Sequence, residues 1–129
     1  MATWNDLRNF MFSNYVISHD EGDHIVLKFQ TENLRSQMVH LFRDVDGIGN
    51  EWVDISSAIG EWGRGSIEPL LRMVDSRICG GLSLVDNLLV YRHCVPLISA
   101  DADDIMGPMA VVAGVADEME RMYTGQDGY

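Results

Sequence analysis

The sequence predicts an α+β fold, a mainly antiparallel sheet with helices packed on it in the order α-β-β-β-β-α-β-β-α. Three observations carry that expectation. Strand-like alternation of apolar and polar residues recurs between residues 15 and 56. The apolar period then switches to three and four from Ile67 to Ile78, and again from Ile105 to Tyr123, as in amphipathic helices. Between those helices, Asp86-Asn87 divides residues 79–97 into two apolar halves, the pattern of a hairpin. Every strand connection but one is then hairpin-like, which favours antiparallel pairing.

The elements follow in order. Thr3 is placed to N-cap a first helix with Asp6 in its first turn, and Trp4, Leu7, Phe10 and Met11 share one face. Tyr15 to His19 alternates, Asp20-Glu21-Gly22-Asp23 turns, and Ile25, Leu27 and Phe29 alternate with Val26 and Lys28 to close a hairpin. A third strand is expected over Ser36 to Arg43, a loop over Asp44 to Asn50, and a fourth strand over Trp52 to Ser56. Gly60 to Gly65 breaks the chain before a helix that Ser66 caps and Pro69 enters in its first turn. Ile67, Leu70, Leu71, Val74 and Ile78 form its apolar stripe, and Gly80-Gly81 ends it. In the last helix, Asp101, Asp103 and Asp104 sit at the positive end. Pro108 lies too deep for one unbroken first turn, so a short lead-in helix and a restart are expected there. Residues 1–125 read as a single domain and 126–129 as a frayed tail.

Composition narrows the function classes. Hydrophobic residues make up 47% of the 129-residue chain, enough for a core, and the net charge is −11. Lys28 is the one lysine and the eight arginines form no run, so phosphate backbones and anionic membranes would be repelled. No nucleic-acid or membrane partner is expected. The N-terminal residues carry no secretory pattern and no apolar run reaches membrane length, which points to the cytoplasm.

No motif carries catalytic chemistry, so no enzyme, cofactor or metal is expected. His19, His24, His40 and His93 lack i, i+4 spacing, and no CxxC pair is present; His19 and His24 read as solvated turn residues. Asp44-x-Asp46 begins like a calcium loop, but Ile55 stands where the bidentate Glu belongs. The glycine-rich segments 47–49 and 60–65 lack phosphate-binding fingerprints, and Ser56-Ser57 has no nucleophile elbow. The methionines read mainly as core filler.

The final hairpin is the candidate working surface. A two-residue turn at Asp86-Asn87 sets Val85 opposite Leu88, Leu84 opposite Leu89 and Leu82 opposite Tyr91. Extending that register sets Cys79 opposite Cys94, a possible redox pair, though reduced thiols are the expected state in a reducing compartment. Leu82, Leu84, Leu89 and Tyr91 then face one way, and Val85, Leu88 and Val90 the other. A half-solvated sheet should be polar on one side, so either helices cover both faces or a second molecule buries one. These seven residues are the candidate interface.

Arg35-Ser36-Gln37-Met38-Val39, residues 52–60 and residues 81–93, in this order of elements, resemble YbjN-like proteins, which share the fold of type III secretion chaperones. The resemblance implies a helix–sheet–helix sandwich, often homodimeric, that binds polypeptides without ATP. The resulting expectation is a non-enzymatic, chaperone-like protein-binding domain, homodimeric, with a protein or peptide client. The alternatives are a small enzyme or ligand-binding domain with a pocket between the middle helix and the sheet, and an acidic decoy for a basic partner.

Overall fold

A computed structural model describes residues 1–32 and 34–125. Helix α1 (Trp4–Asn14) leads into strands β1 (Ile17–Asp20), β2 (His24–Gln30), β3 (Ser36–Val45) and β4 (Glu51–Glu61). Helix α2 (Glu68–Val74), strands β5 (Gly81–Val85) and β6 (Leu88–Pro96), and helix α3 (Ala102–Thr124) complete the order the sequence predicts. The expected frayed tail, 126–129, lies outside the described residues.

One six-stranded sheet, entirely antiparallel, runs β1-β2-β3-β4-β6-β5. Four strands form a meander, and the crossover through α2 carries β5 past the β6 position to the far edge. One parity of the strands supplies the core. Ile25, Leu27, Val39, Leu41, Val53 and Ile55 are fully buried and cluster with Trp4, Leu7 and Met11 of α1, Leu70 of α2, and Met109, Val112 and Met119 of α3. Burial of this apolar surface, at about 25 cal/mol per Å², is the main force holding the helices to that face.

Polar locks fix the helices. The Thr3 hydroxyl accepts from the Asp6 amide at 3.1 Å while the Asp6 carboxylate accepts from the Thr3 amide at 3.3 Å, a reciprocal cap on α1. Asp101 and Asp104 form the same box on α3. Arg35, ahead of β3, donates from Nε to both Asp117 oxygens at 3.1 Å, and Asp117 is almost wholly buried. A charge-assisted, three-centre contact of this kind fixes where α3 lies against the sheet.

Several boundaries differ from the sequence reading. β3 continues to Val45 and β4 to Glu61, because hairpin pairing carries polar residues along with apolar ones. Gly60 is therefore inside β4, next to a bulge after Ala58, rather than at a chain break. It is small for a packing reason: a Cβ there would meet Thr124 Cγ2 at 2.8 Å. Ser66 caps nothing; α2 starts after Ile67 without a side-chain cap and ends at Val74, leaving Leu71 and Ile78 exposed. α3 runs through Pro108 without a restart. The proline ring costs about 3 kcal/mol in a helix interior, but buried side chains from Ile105 to Tyr123 hold both halves to one core.

Candidate functional site

The second parity of the strands forms a face that no helix packs on among the described residues. Cross-strand register places His24 beside Phe42, Phe42 beside Asp54, and Asp54 beside Cys94. A neighbouring row runs Val26, His40, Ser56, Arg92. Val26 and Val90 lie on this face yet are only 6% and 8% exposed. The sheet is dished here into a depression of about 420 Å³. Its apolar lining is Phe42, Ala58, Val85, Leu88 and Val90, and its polar lining is His40, Asp54, Ser56 and Arg92.

The polar groups are largely occupied with one another. Arg92 donates to Asp54 from Nε at 3.3 Å and from a terminal nitrogen at 2.7 Å, and that same nitrogen lies 3.2 Å from Cys94 Sγ. Burial, with Asp54 close by, pushes the Cys94 thiol upward, so it stays protonated and is a poor nucleophile at neutral pH. His24 Nε2 and His40 Nδ1 are 2.9 Å apart, and Phe42 stacks on His24 with ring centroids 4.1 Å apart. Burial lowers both imidazoles below their ordinary value, His40 also through its neighbour His24. Among the described residues, the Ser56 hydroxyl makes no hydrogen bond to the His40 ring, and the Asp54 carboxylate is turned to Arg92 instead of to a histidine. A relay from nucleophile to base is therefore not assembled.

Charge is distributed unevenly between this face and the rest of the molecule. Its middle rows hold Lys28 and Arg92 against Asp54, with Asp44 and Glu61 toward opposite ends. The excess acid behind the net charge of −11 sits elsewhere, as in the β1–β2 turn and at the start of α3.

The hairpin register is as expected from Asp86-Asn87, with Val85 opposite Leu88 and Asp86 at φ 54°. The candidate interface residues are nevertheless divided by the fold. Leu89 and Tyr91 are buried under the helices, out of a partner's reach, and Leu82 packs partly against the same core. Leu84 lies on their side but stays half exposed at the sheet edge. Val85, Leu88 and Val90 line the depression. Cys79 does not reach Cys94: β5 begins at Gly81, Gly80 turns the chain at φ 95°, and the Cys79 carbonyl accepts from Tyr91 Oη at 2.5 Å. Both thiols are free.

Other sequence candidates resolve into structural roles. Asp46 accepts from the Ile48 and Asn50 amides at 3.0 Å and from Trp52 Nε1 at 2.8 Å, organising the β3–β4 turn. Those bonds, the indole first, hold its carboxyl below the usual range. Ser57 donates to the Met38 carbonyl at 2.6 Å. His19 contacts Glu21 at 2.7 Å, and no group of three His, Cys, Asp or Glu among the described residues is arranged to hold a metal. A larger hollow of about 530 Å³ between the end of β2 and α3 is lined by Asp117, Glu118 and Arg121, among other residues, and its two α3 carboxylates pair with Arg35 and Arg77. Neither hollow adjoins α2. No helix among the described residues is long and apolar enough to cross a membrane.

The meeting of His24 with His40 and of Asp54 with Arg92 was hidden in the sequence, where the pairs are 16 and 38 residues apart. Only a committed β2–β3 and β4–β6 register would have aligned them. No family model matches the chain, and neither a curated protein nor a solved structure matches it.

Proposed function

We propose that this chain is a non-enzymatic, chaperone-like protein-binding domain that pairs with a second copy of itself through the open face of its sheet. The observation that carries the reading is the uncovered apolar depression around Phe42, Val85, Leu88 and Val90. Phe42 is 37% and Val85 53% exposed, and an apolar patch left in water on a strand face marks a contact surface. Charge selects the occupant. Two copies each carrying −11 repel over most of their surface, whereas this face is close to balanced and lets like molecules approach. The resemblance to YbjN-like proteins supports the same reading through the order of elements, and the free thiols at Cys79 and Cys94 suit a cytoplasmic location.

Sedimentation equilibrium tests the proposal. The expected result is a dimer at micromolar concentration that Val85→Asp converts to a folded monomer, since the added carboxylate would be buried unpaired. A wild-type chain that stays monomeric, or a dimer indifferent to Val85→Asp, overturns it. A second reading, a small-ligand site, is favoured by the convergence of His40, Ser56, Asp54 and Arg92 on the depression. It moves the pocket from the middle helix to the open face. Ligand screening against the monomeric Val85→Asp variant and the wild type separates the two.

A further inference from the structure

We propose that the His24–His40 contact makes the open face acid-sensitive, so that neutral histidines permit docking and double protonation releases the partner. This rests on the reading of that face as a docking surface.

The geometry limits the protons the contact can hold. A nitrogen pair at 2.9 Å with rings 18° from coplanar needs one N–H and one bare lone pair. In the neutral pair one imidazole donates and the other accepts. A first added proton goes to an outer nitrogen and leaves the contact intact. A second sets N–H against N–H, and the contact must open. Phe42, stacked on His24 and lining the depression, would move with the ring it covers.

Of the surrounding groups, Glu21 favours the charged form of His24, while His24 and His19 disfavour that of His40. From β1, His19 stands edge-on to His24 at 6.0 Å and disfavours its charged form. Glu21, in the turn, opposes this but already contacts His19. From β4 and β6, Asp54 and Arg92 neutralise each other. Lys28, on β2, is cationic, and Val26 and Ser56 beside His40 are neutral. Two protons per copy therefore place two like charges within one His24–His40 contact, and a two-fold interface brings the same pair from each copy to the surface that docking must desolvate. Burial already disfavours both charged rings, and docking removes further water from them.

The experiment measures dimer dissociation by sedimentation equilibrium at about pH 7.5, 6.5 and 5.5, a range spanning imidazole titration. Wild type is compared with the His24→Gln/His40→Gln double variant, which keeps polar groups without titrating. The dissociation constant should rise at least about tenfold for wild type, the equivalent of one pKa unit of coupling, and stay flat for the variant. Equal acid sensitivity in both, or none in wild type, overturns the proposal. NMR titration of the imidazole protons in monomeric Val85→Asp separates this failure from failure of the docking reading. Two coupled steps at His24 and His40 support the shared-proton contact even if no dimer forms, and independent single steps overturn it.

Discussion

The covered and open faces of the sheet are built from the same strands and differ in what completes them. On β3, Leu41 and Phe42 are consecutive; Leu41 is fully buried under the helices while Phe42 lines the open depression. Both are large and apolar, so composition does not explain the division. The covered face is buried within the chain, by helices and by the Arg35–Asp117 lock. The open face pairs Asp54 with Arg92 and His24 with His40 laterally and leaves Phe42 and Val85 in water. The lesson is that apolar character on both sides of a sheet marks two different jobs, one of cohesion and one of contact.

The sharpest test of this division is Leu41→Ala, which should lower unfolding free energy by about 2–5 kcal/mol in urea melts, since a core truncation leaves a cavity. A loss as small as that of a surface substitution would erase the distinction between the faces. Next, Asp117→Ala should cost about 3 kcal/mol, read from the same melts, because it removes a buried charged partner of the Arg35 guanidinium. Replacing both partners by apolar residues should recover much of that loss. Phe42→Ala, the open-face counterpart of Leu41→Ala, should cost the fold about 1 kcal/mol, mainly from its lost aromatic stacking. Its larger effect should appear in dimer dissociation.

The smallest expected effect is that of acid on the folded monomer. His24 and His40 have folded values below the ordinary 6.5, so the unfolded chain binds more protons as the pH falls through that value. Their contribution is fully present above pH 6.5 and declines on acidification toward their lowered folded values. Asp20 and Asp46, lowered from 3.8 by their hydrogen bonds, lose theirs only at more acid pH. Urea midpoints above about pH 5 should therefore fall less for the His24→Gln/His40→Gln variant than for wild type.

Local features of this fold were legible wherever chemistry acts over a few residues. Thr3 and Asp6 cap α1 because hydroxyl and carboxylate lie one turn apart, and Asp86 adopts positive φ in the turn that sets the β5–β6 register. The middle of the chain was less legible. Ile67 to Ile78 shows helical spacing, yet α2 stops at Val74, since seven residues with one buried anchor, Leu70, do not extend a helix into water. Pro108 misled in the opposite direction, because the cost of a proline is local while the packing that overrides it comes from β3, β4 and β6. The candidate site was half visible: Val85, Leu88 and Val90 were named from parity, whereas His24, His40, Asp54 and Arg92 were not joined.

By itself the sequence determined the order of elements, the hairpin turn and the two sets of side chains that alternate along each strand. Those follow from periods of two and 3.6 and from turn residues, all short-range. The tertiary structure alone decided which set the helices would cover, since both sets in the final hairpin are apolar and only the paths of α1, α2 and α3 distinguish them. It also decided that β6 would enter beside β4, which brings Arg92 to Asp54 and completes the open face.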